Sequence, residues 1–148
     1  MTGRTAGPDW PSATPPAARD ALSWRLADVA ELPRVRAELR RHVTASVDAD
    51  DARHRDLCDH LVLALDEMAS NALRHGGGEQ IEASVRLTED SYLIEVSDAA
   101  TSSPPVPAVD RDPSEGGLGL FLIAELATGH GWYVAAGAKH VWALLPRS

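Results

Sequence analysis

The sequence predicts an α+β fold, a two-layer sandwich in which a mostly antiparallel mixed sheet carries helices on one face. The first observation behind this prediction is a long segment, residues 61–76, whose apolar residues recur with the spacing of one buried helical stripe: Leu61, Leu65, Met68 and Ala72. The second is the order of the other elements. Strands occur mainly in neighbouring pairs with helices between them, which favours antiparallel pairing.

The first half of the chain predicts a tail, a strand and two helices. Residues 1–20 are rich in Pro, Gly, Ala and Thr and lack an apolar period, so we interpret them as a disordered tail in front of a folded domain at residues 21–148, with Trp10 as a contact to that domain. Alternation predicts a strand at 22–26. A helix at 31–43 follows, and the long helix runs from about residue 52 to 75. The buried side of the first helix is expected to carry Leu32, Val35, Leu39 and Val43.

The second half predicts a hairpin, a long connection, a helix and a last pair of strands. The hairpin strands are residues 81–87 and 92–96, and Asp98 ends the second of them. Residues 99–115 contain four prolines and little to bury, which is typical of a functional lid. A helix is expected around 121–126. Strands are expected at 132–135 and 140–145, joined by a turn at Gly137.

Length, composition and charge exclude several classes of function. The chain has 148 residues, of which 44% are apolar and 24% charged, a length and composition typical of one globular domain. Its net charge of −8 argues against direct nucleic-acid binding. The sequence lacks a run of the roughly 20 apolar residues that a membrane span needs. Cys58 is the only cysteine, so a disulfide within the chain is excluded and a reducing cytoplasm is the expected location.

The long helix carries a carboxylate and a carboxamide on one face. Glu67 and Asn71 are four residues apart and therefore neighbours on the helix surface. On spacing alone, a solvated helix face is the commoner outcome for such a pair. The alternative is a metal-and-water site in which Asn71 offers its carbonyl oxygen to a hard cation and Glu67 polarises a water or hydroxyl.

Two further features are candidates for binding. Asp98 at a strand end can accept a hydrogen bond from an exocyclic amine such as that of adenine, or simply form a turn. The glycines at residues 116–119 run directly into a helix. Free N–H groups at a helix N-terminus favour phosphate oxygens, although a hinge of the lid would have the same composition.

Together and in this order, the three features resemble the GHKL ATPase superfamily of gyrase, Hsp90, histidine kinases and MutL. More narrowly, three stretches are similar to the single-domain anti-sigma-factor serine/threonine kinases of actinobacteria: ALDEMASNALRHG, GGLGLFLIAELA and KHVWALLP. The resemblance covers about residues 22–146.

The resemblance implies ATP and Mg²⁺ as cofactors and assigns a role to each candidate residue. Asn71 would bind Mg²⁺, Glu67 would be the catalytic base, and Asp98 would accept from the adenine amine. The phosphate-binding turn would comprise Gly117, Gly119 and Leu120. The implied partners are a sigma factor and an anti-sigma-factor antagonist of the STAS type, and a homodimer is a further expectation.

The sequence also departs from the family pattern. Ala100 and Ser102 stand where glycines usually follow the Asp, and His140 stands where a Thr commonly lies near adenine. An alternative function is therefore a kinase-inactive interaction module that sequesters a sigma factor or another regulator. The partner surface would use the arginines of the first helix, which are otherwise a solvated face: Arg34, Arg36, Arg40 and Arg41.

Overall fold

The computed structural model describes residues 10–46, 52–75, 80–101 and 118–147. A 3₁₀ turn at Val29–Glu31 precedes the first helix. The helices are α1 (Leu32–Ser46), α2 (Ala52–His75) and α3 (Leu118–Leu126). The strands are β1 (Arg19–Leu26), β2 (Ile81–Leu87), β3 (Ser91–Asp98), β4 (Gly129–Ala135) and β5 (Ala138–Pro146). Among these helices, none has both the length and the apolar character needed to cross a membrane.

The five strands form one sheet in the order β1-β2-β3-β5-β4, and every neighbouring pair is antiparallel. Because side chains alternate along a strand, the register defines which residues share a face. One transverse row of register partners is apolar throughout and faces the helices: Trp24, Ala83, Val96, Val141 and Trp132. The predicted α+β class is therefore confirmed, and we call this face the helix side and the opposite one the outer side.

Helix α2 is the centre of the second layer. It packs on β2, β3 and β5, and both α1 and α3 pack against it. The predicted stripe is confirmed, since Leu61, Leu65, Met68 and Ala72 are all buried in the core. The stripe occupies one side of α2 only, so the helix keeps a second, polar face beside α3.

The 3₁₀ turn that leads into α1 is capped by local hydrogen bonds. The Asp28 carboxylate accepts from the N–H of Ala30, and Glu31 accepts from the N–H of Asp28, which together form a capping box. Pro33 lies in the first turn, where a missing N–H costs nothing. The helix ends three residues later than predicted.

The N-terminal segment differs from the prediction of a disordered tail up to residue 20. Strand β1 begins at Arg19, and residues 10–13 lie along the edge of β4. Trp132 donates its N–H to the carbonyl of Pro11 at 3.0 Å and accepts from the N–H of Ala13 at 2.9 Å. Trp10 is buried in the core, in agreement with the expected contact of this residue with the domain. The physical reason is that β4 is an edge strand with backbone groups to satisfy, and a tryptophan gains much from burial.

Candidate functional site

The polar face of α2 carries the first two predicted site residues. Glu67 and Asn71 are both half-buried, one helical turn apart, at the boundary between the core stripe and solvent. The pair therefore lies on the helix side of the sheet, against which α2 packs. A carboxylate and an amide oxygen in this position are ligands of the type that Mg²⁺ prefers.

Gly119 brings the start of α3 directly against Glu67. A Cβ added at Gly119 would overlap Cγ and Cδ of the Glu67 side chain. Glycine therefore lets the first turn of α3 approach the carboxylate, and a side chain at this position would require the Glu67 side chain or α3 to shift. The backbone N–H groups of that turn have no acceptor within the helix and are suited to phosphate oxygens.

Of the other two residues of the predicted phosphate-binding turn, the structure describes only Leu120. The Leu120 side chain is buried in the core, so only its backbone N–H can contact a phosphate. Gly117 lies outside the described residues, as does nearly all of the predicted lid.

The environment of Glu67 raises the pKa of its carboxyl group. The largest cause is burial, which disfavours the charged form, and the neighbouring carboxylate of Asp66 adds to it. The guanidinium of Arg74 opposes both effects. A carboxylate whose pKa is raised toward neutrality is a stronger base, which is the property that proton abstraction from a hydroxyl requires.

The titration of Glu67 can be tested directly by carbon NMR of its carboxyl group. We expect its midpoint to lie above the ordinary value of 4.5. Arg74→Gln removes a favourable charge on an exposed residue, so it should move the midpoint further upward at low ionic strength. An identical midpoint in both proteins would contradict the assigned influence of Arg74.

Asp98 ends β3 with its side chain on the helix side. It is 5% exposed, and its Oδ1 accepts from the N–H of Ala100 at 2.8 Å. This turn needs no left-handed residue: among the described non-glycine residues, only Ala136 has a positive φ. The methyl group of Ala100 is therefore accommodated without strain where the family has glycine. Ser102 lies outside the described residues.

The structure reveals a residue that sequence reasoning missed. Lys139 is the register partner of Asp98 on β5, and its Nζ lies 3.7 Å from Asp98 Oδ2. Both side chains are almost fully buried. Lys139 is in phase with the buried residues Val141 and Ala143, so the alternation of β5 contained the signal.

His140, which stands at the position where the family commonly has a Thr, points to the outer side of the sheet. Its Nδ1 lies 2.8 Å from Glu95 Oε2, and its ring stacks on Tyr133 with the centroids 4.6 Å apart. Tyr133 donates its hydroxyl proton to the same carboxylate, and burial with this bond raises the pKa of Tyr133 to about 12. His140 thus belongs to an outer network.

The model of the histidine kinase-like ATPase domain matches residues 26–142 of the chain. The chain belongs to this family. The match includes Glu67, Asn71, Asp98 and Gly119, and the five-stranded antiparallel sheet with helices on one side agrees with it. No curated protein matches the chain.

A histidine kinase-like ATPase domain implies ATP binding, usually with Mg²⁺, and the described residues fit both. Asn71 offers an oxygen ligand, and Mg²⁺ commonly needs few of these because phosphates and waters complete its shell. The close contact of Gly119 with Glu67 leaves the first turn of α3 beside the helix face that carries Glu67 and Asn71. Asp98 is a buried carboxylate, the type of group that accepts a hydrogen bond from an exocyclic amine.

The role expected for Asp98, as acceptor for the amine of adenine, predicts a measurable loss of ATP affinity in a variant. Asp98→Asn should weaken ATP binding by about 1–3 kcal/mol, the cost of losing a charged acceptor. Calorimetry with ATP and Mg²⁺ measures the change, below the unfolding temperature of the variant because Lys139 loses its counter-charge. Asp56→Asn, at an exposed site in the first half of α2, is the control and should bind as wild type does. Equal affinity of all three proteins would refute the assignment.

Proposed function

We propose that the protein is an ATP-dependent serine/threonine kinase of the anti-sigma-factor type. It binds a sigma factor and phosphorylates a hydroxyl on a STAS-type antagonist in the cytoplasm. The observation that carries this proposal is the position of Glu67: a half-buried carboxylate with a raised pKa, one turn from Asn71 and in contact with the first turn of α3. Base, metal ligand and phosphate-binding turn therefore lie side by side.

In this proposal, each residue of the site has one role in the phosphate transfer. Mg²⁺–ATP supplies the phosphoryl group when it is bound. Glu67 accepts the proton of the partner's hydroxyl, and its raised pKa gives it the basicity for that step. Asn71 would hold the metal, and Asp98 would accept a hydrogen bond from the amine of adenine. The N–H groups of the first α3 turn orient phosphate oxygens.

The alternative is a kinase-inactive module that only sequesters its partner. One observation favours it: Asp98 is already paired with the buried Lys139. The carboxylate that would bind adenine is therefore not an isolated hydrogen-bond acceptor. The two functions make opposite predictions for phosphate transfer, while both predict binding of a regulator.

The arginines of α1 are less available to a partner than their sequence spacing indicated. Arg36 forms an ion pair with Asp66 at 2.6 Å, and Arg40 pairs with Asp59 at 3.0 Å, so both connect α1 to α2. Arg34 pairs along its own helix with Glu38. The proposed partner surface therefore consists of the exposed Arg41 and of three arginines that already form ion pairs within the protein.

The test is transfer of labelled γ-phosphate from ATP to STAS-type antagonist proteins in the presence of Mg²⁺. We expect label on a serine or threonine of one antagonist and none when that residue is alanine. Sigma-factor binding is measured in parallel with the same protein. If the chain binds a sigma factor and never transfers phosphate, the interaction module replaces the kinase.

A further inference from the structure

Residues 10–13, which we call the edge segment, wrap around the outermost strand of the sheet, β4. Trp10 enters the core at one end of the segment. Backbone hydrogen bonds join the segment to Trp132 in a parallel bridge. At the other end, the indole N–H of Trp142 donates to the carbonyl of Ala13 at 2.8 Å. A buried aromatic anchor and three hydrogen bonds therefore hold the edge segment in place.

The shape of β4 also accommodates the edge segment. A Cβ added at Gly131 would lie 2.9 Å from the carbonyl oxygen of Pro11 and 3.1 Å from the Trp142 ring. Glycine at this position therefore lets the segment approach the strand closely. Without the segment, β4 would present unpaired N–H and C=O groups, which readily pair with another extended chain. The edge of β4 is thus a docking site for an extended strand.

The connection from the edge segment to β1, residues 14–18, has little slack. Because three strands lie between β4 and β1, the connection runs from one edge of the sheet to the other. That path crosses at least four strand spacings, about 19 Å in total. The chain from Ala13 to Arg19 reaches about 20–22 Å at full extension. Pro15 and Pro16 favour such an extended backbone.

We propose that two copies of the chain exchange their edge segments, so that each copy docks residues 10–13 on β4 of the other. Exchange preserves every contact that the segment makes within one molecule, and it frees the connection from crossing its own sheet. Exchange of an identical element is a low-cost route to a symmetric dimer. The inference concerns assembly and depends neither on nucleotide binding nor on phosphate transfer.

The first experiment asks whether β4 accepts the edge segment from another molecule. Trp10→Ala removes the anchor from the full chain, and a synthetic peptide of residues 10–18 is then added. We expect the variant to displace the NMR signal of the Trp142 indole N–H, and the peptide to return it to the wild-type position. The peptide carrying Trp10→Ala is the control and should have no effect. If the wild-type peptide also has no effect at millimolar concentration, the docking site is refuted.

The second experiment changes the length of the connection and measures the mass by sedimentation. The wild-type chain of 15.8 kDa should approach twice that mass as its concentration rises. Deletion of the exposed residues Pro16 and Ala17 should produce the dimer at lower concentration, because a linker too short to span its two sites loses the contact within one molecule. Insertion of a flexible Gly-Ser-Gly-Ser linker after Pro16 should favour the monomer. A shortened chain that stays monomeric would overturn the proposal.

Two controls distinguish exchange from any other dimer. Trp10→Ala in the shortened chain should restore the monomer, because it removes the anchor of the edge segment. In a mixture of isotope-labelled and unlabelled shortened chains, filtered NMR should detect a contact between Ala13 of one copy and Trp142 of the other. A dimer that persists after Trp10→Ala, or one without this contact between copies, would contradict the exchange.

Discussion

Glu67→Gln is expected to slow phosphate transfer by about 10²–10⁴-fold, the usual loss when a general base is removed. ATP binding and the fold should remain, because glutamine preserves the shape of the side chain. Burial already penalises the charged form of Glu67, so a neutral amide in its place should not lower the free energy of unfolding. The measurements are a single-turnover rate, a calorimetric ATP titration and a thermal melt.

Two further variants separate this effect from a general loss of function. Glu125→Gln makes the same chemical change at an exposed position of α3 and should transfer phosphate at the wild-type rate. Asn71→Ala should lose Mg²⁺-dependent ATP affinity, a defect that Glu67→Gln does not share. Wild-type transfer by Glu67→Gln would eliminate Glu67 as the base.

Gly119→Ala is expected to lower the free energy of unfolding by about 1–3 kcal/mol and to abolish most phosphate transfer. The added methyl group would overlap the Glu67 side chain, so either α3 or the carboxylate must move. Without the overlap, alanine would be the better residue inside a helix by about 1 kcal/mol. Chemical denaturation measures the loss.

Combining Gly119→Ala with Glu67→Ala distinguishes a steric conflict from other causes of the destabilisation. Truncation of Glu67 removes the atoms that the new methyl group would overlap, namely Cγ, Cδ and Oε2. In this background Gly119→Ala should be neutral or stabilising. If the same destabilisation persists without the Glu67 side chain, the contact between α2 and α3 is not its cause.

Local patterns predicted most of the secondary structure because they depend on neighbours in sequence. The stripe of α2, starting at Leu61, follows from helical spacing, and the β2–β3 hairpin follows from alternation. For the N-terminal segment, only the contact of Trp10 with the domain was predicted, since the pairing of residues 11–13 depends on Trp132, which is remote in sequence. Such contacts depend on tertiary structure.

The motifs of the candidate site could be predicted from the sequence, but the contacts between residues on different strands and helices could not. Glu67 and Asn71 could be placed on one helix face from their spacing alone. The alternation of β5 contained the signal for the face of Lys139, but the pairing of Lys139 with Asp98 required the register of β5 against β3. The contact of Gly119 with Glu67 required the packing of α3 on α2, which spacing along the chain does not encode.

The most direct test of the central claim is an amide NMR titration with Mg²⁺–ATP. The claim is that nucleotide binds on the helix side of the sheet, between α2, α3 and the end of β3. We expect shifts at Asn71, Gly119 and Asp98, with Ser84 and His140 on the outer side unchanged. Absence of shifts at millimolar nucleotide, or shifts confined to the outer side, would contradict the claim.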